Sequence, residues 1–112
     1  MTVAANQSVT VMIGVYNGAR YLAEAIDSVL AQTHPASELI VVDDGSEDES
    51  GAIAESYGPP VRCIRQANGG MAASRNRAVA EATGDYFAFL DADDRFRPDK
   101  LERERNAGSS VR

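Results

Sequence analysis

Acidic side chains gather at two places in this chain, each where an apolar run gives way to polar residues. Asp91-Ala92-Asp93-Asp94 puts three carboxylates within four residues. Their mutual repulsion is costly unless a cation or solvent offsets it. Alternation along an extended backbone would send Asp91 and Asp93 to the same side. Two carboxylates there suit Mg2+ or Mn2+, which takes a few protein oxygens and completes its shell with phosphate and water. A solvated acidic turn capping the next helix is the competing reading. Asp43 and Asp44 close a second apolar run. A carboxylate at that point can accept hydrogen bonds from a base N–H or a ribose hydroxyl; equally, Asp43, Asp44 or Ser46 can cap the helix that follows.

Other candidates say less when taken singly. Asn68-Gly69-Gly70 makes a flexible turn whose N–H groups can approach an anion, but neither the G-x-G-x-x-G spacing nor a Walker-type lysine is present. Arg75 falls near the start of the next helical stretch, within reach of a phosphate or free in solvent, and Arg77 reads as a solvated arginine. Tyr16 offers a ring that stacks on a base or packs at a strand end. His34 reads as a surface residue and Cys63 as a core thiol.

The elements that must position these groups are legible from hydropathy. Apolar, β-branched or aromatic runs occupy residues 9–15, 39–42, 61–64 and 86–90. They are nearly continuous, as strands buried on both faces of a parallel sheet are. Between them, Leu22, Ile26, Val29 and Leu30 form one helical stripe that Pro35 closes. Ser46 with Glu49 fits a capping box, predicting a helix that ends near Tyr57 and Gly58. Residues 71–82 are alanine-rich and predict a helix that packs closely on a sheet. Pro98 suits the first turn of a final helix over residues 99–105. The order β-α-β-α-β-α-β predicts an α/β fold with a doubly wound, mostly parallel sheet flanked by helices. Ligands of such sheets lie beyond the carboxyl ends of the strands. All four polar clusters, at 16–18, 43–46, 68–70 and 91–94, fall on that edge.

Bulk properties limit the function classes. The 112 residues hold one domain, and 44% hydrophobic with 25% charged residues predicts a packed core. A formal net charge of −6 argues against a nucleic-acid surface. It leaves room for a nucleotide whose diphosphate is neutralised by a divalent cation. One cysteine and one histidine offer neither a disulfide nor a zinc cluster. The amino terminus lacks a signal-peptide layout, and no apolar run is long enough to span a bilayer. A cytoplasmic setting is expected, with any membrane association left to a longer parent protein.

Four blocks carry a family likeness: VMIGVYNGARYLAEAIDSVLAQTHP, ELIVVDDGSEDES, NGGMAASRNRAVAEATGDYFAFLDADD and RPDKLE. In these, residues 9–102 resemble the family 2 glycosyltransferases, which have the GT-A fold. The resemblance implies inverting sugar transfer from a nucleotide diphosphate, most readily a UDP-sugar, to a saccharide or lipid-linked acceptor, with Mg2+ or Mn2+. It implies Asp44 at the nucleobase, Gly14, Val15 and Tyr16 beside the base, and Gly70 near base and ribose. It implies Asp93 as the firmer metal ligand and Asp91 between ribose and metal. The family usually has Pro where this chain has Gly14, which removes a rigid φ from the base pocket. Family members also continue past the D-x-D motif into an acceptor-binding half that holds the general base. The expectation is therefore a half domain over residues 9–105, between a flexible 1–8 and a disordered 106–112. In it no catalytic base is assigned and transfer is weak or absent. Two alternatives stand beside this one: a non-catalytic module that binds nucleotide or self-associates through an open sheet edge, and a haloacid-dehalogenase-type phosphatase attacking through Asp91.

Overall fold

The computed structural model describes residues 8–95 and 97–102. Its elements run β1 (Val9–Val15), α1 (Ala19–Leu30), β2 (Glu38–Asp43), α2 (Ser50–Glu55), β3 (Val61–Arg65), α3 (Met71–Glu81) and β4 (Tyr86–Asp91). β1 shows why the strands read so clearly in sequence. All seven of its residues are buried, so side chains pointing either way need apolar company. Helices supply it on both faces. Val11, Ile13 and Val15 meet Leu22, Ala25, Ile26 and Val29 of α1 and Ala54 of α2. Met12 on the opposite face joins Ile40, Val42, Ile64 and Ala78 of α3.

The four strands form one parallel sheet in the order β3-β2-β1-β4. Register brings their carboxyl ends level: Val15 lies opposite Asp43, Gly14 opposite Asp91, and Asp43 opposite Arg65. The chain builds from β1 to β3 in one direction, then crosses back over α3 to place β4 on the other side of β1. The switch in strand order thus lies between β1 and β4, which is where such sheets open a crevice. Among the described residues, no helix is long and apolar enough to cross a membrane.

The expected α/β architecture is present, and local differences are instructive. α2 is shorter than the capping-box signal predicts, beginning at Ser50 rather than just after Ser46. The Ser46 hydroxyl does not cap it, because it accepts a hydrogen bond from the Asn17 N–H at 2.8 Å. Ser8, expected within a flexible terminus, is tied to the sheet: its carbonyl accepts from the N–H groups of Asp85 and Tyr86. In the final helical segment, residues 100–102 are helical as expected. Residue 99 lies in a turn, and residues 103–105 of that segment, residues 1–7 and the tail 106–112 lie outside the described residues.

Candidate functional site

Site geometry begins with the loop after β2, which fastens its neighbours on both sides. Asp44 is 5% exposed and its carboxylate is heavily used. Oδ1 accepts from Gln66 Nε2 at 3.0 Å and from the Gly69 N–H at 2.9 Å. Oδ2 accepts from the Gly70 N–H at 2.9 Å. The Asp44 carbonyl also accepts from Asn68 Nδ2 at 3.0 Å. Burial pushes the Asp44 carboxyl up, but the bonds from Gln66, Gly69 and Gly70 outweigh it and hold the group below its ordinary value. A carboxylate offers about four acceptor positions, so one position on Oδ2 remains for a ligand donor. Gly45 makes this close approach feasible. Its φ is +81°, and an added Cβ would lie 2.8 Å from the Asn68 nitrogen.

The same loop holds the segment after β1. Asn17 adopts a left-handed conformation, with φ 52°, which a short amide side chain tolerates. Its Oδ1 accepts from the Glu47 N–H at 2.8 Å. The first donors of α1 are capped from this loop as well: Gly18 donates to Ser50 Oγ at 3.1 Å and Ala19 to Asp48 Oδ2 at 3.1 Å. The Ser50 hydroxyl in turn lowers the Asp48 pKa, with the Ala19 and Ser50 N–H groups adding to the effect against burial. Asp43 turns inward, its Oδ1 accepting from the Ser46 N–H at 3.0 Å.

Between β1 and β4 these loops enclose a cleft of about 510 Å3. Gly14 borders it from β1 and Tyr16 from the loop that follows, Met71 from the start of α3, Asp91 from the end of β4 and Asp93 from the turn after it. Tyr16 is 53% exposed, leaving its ring available to a planar ligand. Asp91 is the last residue of β4, and the chain then turns, with Asp94 N–H donating to the Asp91 carbonyl at 3.0 Å. The extended alternation expected across Asp91 and Asp93 is therefore replaced by a turn, yet both residues face one cleft. Asp94 is parted from Asp93 and borders a second hollow of about 330 Å3 with Arg75, Phe89 and Asp91. Among the described residues, no group of three or more His, Cys, Asp or Glu side chains is arranged around a metal position.

The other sequence candidates divide. Val15 has its side chain buried at 3% in the α1-side core. Its carbonyl accepts from the Asp44 N–H at 2.9 Å, so it contributes through backbone. Gly70 adopts φ +90° as it leads into α3. The Arg75 guanidinium lies over the Phe89 ring, 4.4 Å from its centre. Met71, Gln66 and Tyr21 were not among the sequence candidates. Met71 begins an alanine-rich helix, and nothing in that pattern distinguishes a cleft residue from a packing one.

Known proteins are similar to this chain in sequence and in fold. The sequence model described as Glycosyl transferase family 2 matches residues 10–106. The chain belongs to glycosyl transferase family 2. Membership removes the ground for the phosphatase alternative, which rested on the D-x-D pattern alone. An uncharacterized glycosyltransferase of Rickettsia prowazekii is 46% identical over 98 residues, covering 88% of this chain and 31% of that protein. One from Escherichia coli K12 is 42% identical over 96 residues, covering 83% of this chain and 28% of that protein. This family 2 chain thus spans between 14% and 31% of the length of the curated relatives it matches. Among solved structures, S. aureus TarS residues 1–349 in complex with UDP-GlcNAc superposes with a TM-score of 0.79 at 30% identity. That match covers 86% of this chain and 29% of the TarS chain.

Proposed function

We propose that this chain is the donor-binding part of an inverting glycosyltransferase, taking a nucleotide-diphosphate sugar into the cleft between β1 and β4. The observation that carries the reading is the meeting of Tyr16, Asp91 and Asp93 in one cleft at the switch in strand order. A UDP-GlcNAc complex of a structural neighbour with 30% identity supports a UDP-sugar as donor. In this reading the base stacks on Tyr16 and lies beside Gly14 and the Val15 backbone. The remaining acceptor position of Asp44 takes a base N–H, and Gly70 approaches the ribose.

Asp91 and Asp93 fit a hard divalent cation shared with the ligand. Two carboxylates are too few for an all-protein cage but enough when diphosphate and water complete the shell. Bound there, Mg2+ or Mn2+ would offset charge on the departing diphosphate. The chain's own part is to hold the nucleotide so that the anomeric carbon faces the acceptor hydroxyl. No general base is assigned among the described residues.

Calorimetry with UDP, with and without Mn2+, tests the reading. Binding should require the cation and should fall by about tenfold or more in Asp93→Ala, a loss of roughly 1.4 kcal/mol or more. Equal binding by Asp93→Ala, or indifference to metal, would refute the metal assignment. A second reading, self-association, is favoured by one feature: β4 lies at one edge of the described sheet, with Phe89 41% exposed.

A further inference from the structure

Gly14 lies on an inner strand of the sheet, yet its missing side chain is felt at the cleft. A Cβ added to it would lie 3.0 Å from Met12 Cε, 3.5 Å from Met71 Sδ and 3.7 Å from Met71 Cε. Met12 is buried and fixed among core residues, whereas Met71 is 49% exposed and borders the cleft. The space above Gly14 is therefore filled by one rigid neighbour and one that can move. Methionine is unbranched and polarizable, so it can occupy that gap or leave it at little strain.

We propose that Met71 is a specificity-determining residue, a movable wall at the nucleobase end of the cleft that packs into the space left by the absent side chain of Gly14. The inference rests on the nucleotide-binding reading above, which puts the base beside Gly14 and Tyr16. A Cβ alone at position 14 would meet Met71 at ordinary van der Waals distance, whereas a longer side chain there would drive the thioether outward, into room that a base would use. A purine, having the larger ring system, should feel this wall more than a pyrimidine.

The test titrates UDP and GDP, at saturating Mn2+, into the unaltered chain, Met71→Ala, Met71→Phe, Gly14→Val and the Gly14→Val/Met71→Ala double variant. Met71→Ala should raise GDP affinity relative to UDP, and Met71→Phe should lower it, each by roughly threefold to tenfold, as expected for pocket changes of a few methylenes. Gly14→Val, whose side chain reaches past the Cβ, should weaken both ligands, and adding Met71→Ala should recover most of that loss. Such recovery is the coupling expected of residues in contact. Unchanged GDP-to-UDP ratios in both Met71 variants would overturn the proposal, and so would losses that simply add in the double variant. Thermal melting of each variant shows whether it is folded, and the two variants at the exposed Met71 decide the matter even where Gly14→Val does not fold. Failure of the unaltered chain to bind any nucleoside diphosphate would instead sink the proposed function, and this inference with it.

Discussion

Asp44 shows how a single carboxylate can organise a site without being a ligand's alone. Three N–H donors converge on it from residues 66–70, and their pull outweighs the burial that would otherwise favour the neutral form. Its folded pKa is therefore depressed. Stability from this group is fully present above the unfolded value of about 4 and is lost as pH falls through the folded one. Urea midpoints should hold steady from neutrality down to about pH 5 and then decline, with a flatter decline in Asp44→Asn. At neutral pH, Asp44→Asn should itself cost about 1–3 kcal/mol, because an amide NH2 cannot accept from a buried backbone N–H. An acid profile identical to that of the unaltered chain would remove Asp44 from this role. Part of this was visible in sequence: Asp44 stood out as an acid at a strand end. That its carboxylate is met by Gly69 and Gly70, 25 and 26 residues away, was not, because no local pattern encodes a partner across two loops.

At the scale of elements, the strands and the start of α3 at Met71 were legible, and the start of α2 was not. β1 and β2 appear as continuous apolar runs because both of their faces are covered, a setting that strands open to water on one side do not share. The start of α2 misled because Ser46 and Glu49 have capping-box spacing, while Ser46 is spent on the Asn17 N–H, 29 residues away. α1 has no cap of its own at Gly18; Asp48 supplies it from the loop after β2 and Ser50 from the first residue of α2. Removing that borrowed cap should behave like removing an ordinary one. Asp48→Ala is expected to lower stability by about 1 kcal/mol, and hydrogen exchange should speed up first at Ala19 and its neighbours. Protection unchanged at the α1 start would mean the loops are held by packing rather than by these bonds. Left-handed Asn17 belongs to the same device. Asn17→Gly keeps the conformation and loses the bond to Glu47, so it should cost less than Asn17→Val, whose branched side chain resists φ near +52°.

For the molecule as a whole, an outermost strand and a net charge act in opposite senses. β4 closes the described sheet on one side and carries no charge between Tyr86 and Leu90. Phe89 stands on it 41% exposed, with its ring 4.6 Å from that of Phe87 and partly covered by Arg75. Unpaired strand edges with apolar neighbours favour pairing with another copy. Each copy, however, carries a formal charge of −6, so approach is opposed over distances that salt can screen. The sign of the salt effect follows. Sedimentation at rising protein concentration should show weak self-association that strengthens as ionic strength increases, since the screening length shrinks from about 30 Å at 0.01 M to about 10 Å at 0.1 M. Phe89→Lys adds a charge to the edge and removes its exposed ring, and should reduce association at every salt concentration. A clean monomer throughout would leave the β4 edge without a partner in a second copy. Association that weakened with salt would instead point to ion pairs, such as those Arg95 makes with Glu24 within one copy, as the contacts between copies.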